Sequence, residues 1–352
     1  MTIDEAKLTS FMDAAVGDLG SAISGLMVYL GDQLGLYRAM AGAGALTSAE
    51  VAGRAGCDER YVREWLSNQA AAGYVVYDPA SGTFELPAEQ ALALADADSR
   101  VFVCGGYQGV VSAFVDADRF VDAFRTGRGV GWHEHDPRLF VGTERFFRPA
   151  YLHQLTTSWI PAVAGLEHRL TAGASVADVG CGHGASTVVM ARAYPSSKFV
   201  GVDYHAPSIE AARKAAADEG VADRVTFELA TAKDYSGTGY DLICFFDCLH
   251  DMGDPVGAAR HARRALADDG TVLLVEPNAA DRLEDNLNPV GRAFYGFSTV
   301  MCTMASRAQE VGAALGAQAG EARLRAVLQE AGFRQIRRVA ETPFNIVLEA
   351  TT

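Results

Sequence analysis

Basic residues are in short supply: 30 Lys and Arg stand against 44 Asp and Glu, a formal net charge of −14. Nucleic-acid binding rests on clustered Lys and Arg displacing counterions from phosphates, so this shortage argues for a small-molecule partner and no nucleic acid. Long apolar runs are missing too: no stretch reaches the roughly 20 charge-free residues that cross a bilayer, and no membrane partner is expected. The start, Met1-Thr2-Ile3-Asp4-Glu5, has neither the basic head nor the apolar centre of a secretory leader. Cysteine is sparse, six scattered over 352 residues, which fits reduced thiols rather than a disulfide framework. These features together point to a cytoplasmic protein. Cys244, Cys248 and His250 lie close in sequence without a usual zinc spacing, so no metal is expected.

A chain of this length exceeds one ordinary domain. Residues 22–41 carry Ile23, Leu26, Met27, Leu30, Leu34 and Tyr37 at near-helical spacing. Thr47 and Ser48 then cap a helix through Arg54, and Asp58 caps a second through Ala72, stopped by Gly73. Two short strands, 74–77 and 83–86, flank the turn Asp78-Pro79-Ala80-Ser81-Gly82. Helix, helix, hairpin describes a winged helix. In its second helix Asp58, Glu59 and Glu64 outweigh Arg60 and Arg63, which favours dimerisation and pocket building over DNA recognition. We expect residues 1–99 to be a dimerisation-type winged-helix domain and 100–165 a helical connector covering the active site. Within the connector Phe140, Phe146, Phe147 and Tyr151 read as packing residues, and the loop containing His133, Glu134, His135 and Asp136 reads either as ligands for a metal or substrate or, more readily, as a polar surface connection.

From about residue 166 strands and helices alternate, the pattern of parallel strands covered by helices. Strands are expected at 175–179, 199–203, 225–230, 240–246 and 271–276, with 334–340 and 345–350 forming a final antiparallel hairpin. The first strand ends in Asp178-Val179-Gly180-Cys181-Gly182-His183-Gly184, and the second ends at Asp203. Alternating glycines let a ligand approach the backbone, and an acid about twenty residues on can accept ribose hydroxyls. Asp178, two residues before the first glycine, suits a cationic amino-acid group and would repel a pyrophosphate.

This segment resembles class I S-adenosylmethionine-dependent methyltransferases, whose first motif reads acid-x-Gly-x-Gly-x-Gly. The resemblance implies an α/β fold, a Rossmann-like seven-stranded sheet over residues 166–352, and S-adenosyl-L-methionine as cofactor. Its binding residues would be Asp178, Gly180, Cys181, Gly182, Gly184, Asp203, Tyr204, His205, Ala232, Lys233, Phe246 and Asp247. The stretch Leu249-His250-Asp251-Met252-Gly253-Asp254 is similar to the Leu-His-Asp-x-x-Asp segment of plant-type small-molecule O-methyltransferases, which also carry an N-terminal winged helix. That likeness gives His250 the role of general base and Glu276 that of orienting group. The family's second supporting glutamate has no clear counterpart, with only Gln318 or Glu321 nearby. A bacterial group of winged-helix methyltransferases is similar over nearly the whole chain, marked by Val202-Asp203-Tyr204-His205, by Asn286-Leu287-Asn288-Pro289-Val290-Gly291-Arg292 and by Glu341-Thr342-Pro343-Phe344-Asn345. An insertion at 279–316, with Phe294, Tyr295, Phe297, Met301 and Met304, reads as an apolar acceptor pocket or as interface core.

The expected activity is therefore methyl transfer to the oxygen, nitrogen or carbon of a small apolar or cyclic molecule by a homodimer. A ligand-responsive DNA-binding regulator and an NAD-linked oxidoreductase are the alternatives.

Overall fold

The computed structural model describes residues 2–352, which divide into two compact units. One comprises the chain up to Phe114 together with Pro137–Pro149, the other Val115–Asp136 together with Ala150–Thr352. The stretch expected as a single connector is thus shared: 100–114 and 137–149 fold with the first unit, 115–136 and 150–165 with the second.

In the first unit Asp4 caps a helix over Glu5–Gln33, far longer than the apolar spacing of 22–41 suggested. Its apolar residues sort by exposure: Val28 is fully buried, whereas Leu8, Phe11, Met12, Val16, Leu19 and Ile23 face outward. It is long and apolar enough to cross a membrane, as are core helices of soluble proteins and leader sequences near an N-terminus. The winged-helix pattern holds. Thr47 and Glu50 form a capping box for the helix Ser48–Ala55, Asp58 caps Glu59–Ala71, and β1 (Val76–Asp78) pairs antiparallel with β2 (Thr83–Glu85). Trp65, Leu66, Tyr37 and Met40 close a core around Val28. Buried Asp32 is held by both guanidinium arms of Arg145, at 2.7 and 2.8 Å.

The second unit is built on seven strands: β3 (Ser175–Val179), β4 (Lys198–Asp203), β5 (Val225–Leu229), β6 (Tyr240–Phe246), β7 (Leu266–Pro277), β8 (Gln335–Glu341) and β9 (Asn345–Thr351). Their order is β5-β4-β3-β6-β7-β9-β8. All neighbours run parallel except β9, which is antiparallel to both β7 and β8, as the short link at 342–344 required. β3 and β6 are buried almost throughout because helices cover both faces of the sheet. Between them the strand order reverses direction, which opens a crevice at their carboxyl ends.

Candidate functional site

The glycine loop enters this crevice from β3. Gly180 and Gly182 have φ of 79° and 52°. A Cβ on Gly180 would lie 2.7 Å from the Cys248 sulfur, whereas Gly182 has open space where a Cβ would be, leaving its backbone free to meet a ligand. The Gly180 and Cys181 amides bond the Val202 carbonyl at 2.8 and 3.0 Å, tying the loop to β4. Gly184 packs against Ala212 and Phe227 at the start of the helix Ala185–Ala193.

Asp203 closes β4. Its two carboxylate oxygens accept the amides of His205 at 2.8 Å and Gly182 at 3.0 Å, so the expected ribose acid also fixes the loop. Burial nevertheless raises its pKa despite these amides. Asp178 is buried, at 1% exposure. One oxygen receives the hydroxyls of Ser186 and Thr187, both at 2.6 Å, while the other is buried without a partner. Burial pushes its pKa up to about 6, with the two hydroxyls opposing.

Cys181 is buried, and its thiol is pushed up by that burial. Tyr204 is half-exposed, while His205 is buried with Nδ1 2.8 Å from the Ser208 hydroxyl. The loop after β5 is turned by Asp234, which accepts the Thr231 amide and hydroxyl at 2.7 Å. Ala232 packs onto the core there. Lys233 sends its ammonium to Glu310 at 2.8 Å and Asp254 at 3.4 Å, a tie along the rim.

At the end of β6, Phe246 is buried and Asp247 takes φ 50°, a left-handed conformation that costs a non-glycine residue roughly 1–2 kcal/mol. Two contacts hold it. The Asp247 amide bonds the Val275 carbonyl at 2.8 Å, and the Asn345 amide donates to Oδ1 at 2.8 Å. Oδ2 is buried without a partner. Non-glycine residues strained in this way gather at functional sites.

His250 follows at once, on the single turn Leu249–Asp251, 4% exposed. Glu276, from the end of β7, takes His250 Nδ1 on one oxygen and the Leu249 amide on the other at 2.9 Å. Asp251 Oδ1 is 3.1 Å from Nε2. Burial opposes a charge on the ring, yet Asp251 and Glu276 overcome it and raise the imidazole pKa well above its ordinary value. Cys302 shares the pocket, contributed by the π-helical turn Ser298–Cys302.

The sequence reading did not single out Asp251, Asn345 or Cys302 for the site, although the first two stand in segments it quoted. Met301 and Met304 of the insertion are buried, and Phe294, Tyr295 and Phe297 are partly exposed. The polar loop of 127–137 is not simply surface: His135 is buried, with Nδ1 3.4 Å from Asp116.

The arrangement suits a nucleoside cofactor with a cationic end. Open backbone lies at Gly182, Asp203 faces the loop, and two buried carboxylate oxygens, of Asp178 and Asp247, have no partner.

Comparison with known proteins agrees with the fold. Residues 170–332 match the family described as a methyltransferase domain, and residues 22–96 the Rv2258c-like winged helix-turn-helix domain. No curated protein matches. Among solved structures, a putative O-methyltransferase of Nostoc punctiforme is similar at 20% identity and TM-score 0.70, covering 99% of each chain. Human N-acetylserotonin methyltransferase, solved with S-adenosylmethionine, is similar at 17% identity and TM-score 0.68, covering 99% of this chain and 98% of its own. An O-methyltransferase of neocarzinostatin biosynthesis, solved with S-adenosylhomocysteine and 1,4-dihydroxy-2-naphthoic acid, is similar at 20% identity and TM-score 0.64, covering 96% and 98%.

Proposed function

We propose that this S-adenosylmethionine-dependent class I methyltransferase with an N-terminal winged-helix domain methylates a hydroxyl oxygen of a small, apolar, ring-bearing molecule. The observation that carries the reading is the His250–Glu276 pair, set at the ends of β6 and β7 beside the glycine loop. Neighbouring structures bound to a hydroxynaphthoic acid and named for O-methylation support the choice of oxygen.

S-adenosylmethionine supplies an electrophilic methyl group on a sulfonium centre. Asp203 and the amides of the loop would hold the ribose edge, while Asp178 and Asp247 would provide negative potential for the cationic end. His250 accepts the proton of the acceptor hydroxyl at Nε2. Glu276 fixes the ring through Nδ1 and steadies the charge that forms. Asp251 Oδ1 stands beside the same nitrogen, at 3.1 Å. A cationic occupant nearby disfavours imidazolium, so filling the cofactor site offsets part of the carboxylates' pull and frees the base. Phe294, Tyr295 and Phe297 supply apolar surface to the acceptor. The outward apolar row on the helix Glu5–Gln33 supports pairing with a second copy of the chain.

The test is incubation with isotopically labelled S-adenosylmethionine and an extract of the producing cells, followed by identification of the labelled product. A label on a phenolic or enolic oxygen is expected. Label on nitrogen or carbon would overturn the assignment to oxygen, and no label in any product would overturn the activity.

A further inference from the structure

Tyr151 stands among the packing aromatics in sequence, yet its surroundings are those of a ligand-binding group. It opens a π-helical run over Tyr151–Trp159, just after Pro149, which lacks an amide donor. Long π-helical runs are rare and gather at functional sites. The wider turn brings the Tyr151 ring against Phe246 at 5.7 Å between centroids, with Trp159 edge-on at 6.4 Å. Phe246 is the last residue of β6, so the phenol reaches the strand ends where the order of the sheet reverses.

The charges that act on its hydroxyl come from the strand ends. They belong to Asp247, Asp178 and Glu276, from the ends of β6, β3 and β7, with the Cys248 thiol beside them. Two of these carboxylates, Asp178 and Asp247, each have a buried oxygen without a partner. Acids alone could receive the ammonium of an amino acid but would repel its carboxylate. A bound amino-acid group at this spot needs a neutral donor as well. Burial and the surrounding acids raise the phenol's pKa far above its ordinary value, so it keeps its proton at every working pH.

We infer that Tyr151 is a cofactor-binding residue, its hydroxyl donating a hydrogen bond to the carboxylate at the amino-acid end of the methyl donor. The inference rests on the cofactor reading above and adds a residue to it. The π-helical register then has a purpose: it aims a phenol at the strand ends.

The test compares two ligands that differ in the amino-acid end. Calorimetric affinities of S-adenosylhomocysteine and of adenosine are measured for the wild type and for Tyr151→Phe, with Tyr151→Met as a second variant should Phe fold poorly. Tyr151→Phe should weaken S-adenosylhomocysteine about tenfold, a hydrogen bond to a charged group being lost, and leave adenosine within about twofold. Equal loss for both ligands, or loss for neither, overturns the role of Tyr151 while the cofactor reading stands. A wild type that binds S-adenosylhomocysteine no better than adenosine overturns both.

Discussion

Glu276 grips His250 twice, through the imidazole Nδ1 and through the amide that precedes it on the same turn, since the Leu249 N–H shares the carboxylate at 2.9 Å. Ring and backbone are thereby set by one group 26 residues away, and the imidazole presents only Nε2 to a substrate. Replacing His250 by Ala should lower kcat by ~10² or more while calorimetric affinity for S-adenosylhomocysteine is unchanged. A variant retaining a third of the wild-type kcat would make His250 a bracing residue.

The same carboxylates decide the pH profile. Because Asp251 and Glu276 raise the imidazole pKa and the base works only when neutral, kcat/KM should climb with pH through a midpoint above the ordinary imidazole range. Bound cation lowers that midpoint, so the limb in kcat should lie to the acid side of the limb in kcat/KM. Glu276→Gln removes one of the two raising charges and should shift both limbs to lower pH, with a smaller loss of rate than His250→Ala. Steady-state kinetics from pH 6 to 10 would show it, and limbs that stay put in the variant would refute it.

Asp203 orders the glycine loop, and in the proposed reading it also faces the ribose. Asp203→Ala should weaken S-adenosylhomocysteine about tenfold or more, as expected for hydrogen bonds to a charged group. Unchanged calorimetric affinity would remove the keystone of the cofactor site.

Asp178 trades stability for charge. Its folded pKa of about 6 lies above the ordinary carboxylate value, so its stabilising contribution is complete only below about pH 4 and is lost as pH rises through about 6. The ionised form at neutral pH thus costs up to roughly 3 kcal/mol. Asp178→Asn keeps an oxygen for Ser186 and Thr187, and should raise the melting temperature of the ligand-free protein at pH 7.5 by a few degrees while weakening S-adenosylhomocysteine. A lowered melting temperature would show that the charge is compensated.

For assembly, the full-length chain should be a dimer by light scattering, and Phe11→Asp with Leu19→Asp should make it a monomer. Both side chains are more than two-thirds exposed, at 67% and 72%, so the double variant should keep its fold by circular dichroism. A wild-type monomer, or a variant that stays dimeric, would rule out this face.

Much of the second unit was legible in advance because its signals are local. Strand ends were marked by acids, turns by glycines, and the final hairpin by a link too short for a crossover. Asp178, Asp203, His250 and Glu276 could be placed for the same reason. What escaped the sequence depends on burial or on helical register. The exposed row that prolongs the first helix back to Glu5 has the composition of a core stripe, and the division of residues 100–165 follows packing rather than composition. No local pattern announces a π-helix, so Tyr151 read as one aromatic among several. The raised pKa of His250 needed two carboxylates in three dimensions, only one of which is its sequence neighbour.

The bond from Asn345 to Asp247 spans 98 positions of chain, and it steadies a left-handed non-glycine residue at the mouth of the crevice. Every other residue named for the cofactor precedes Asn345 in the chain. A nascent chain that has completed β7 but not β9 has an open sheet edge at Val272–Pro277, the residues that β9 covers, and a strained turn with nothing to hold it. The ability to take up cofactor should therefore follow the pairing of β9 with β7. Ligand added during translation would find no early intermediate to rescue.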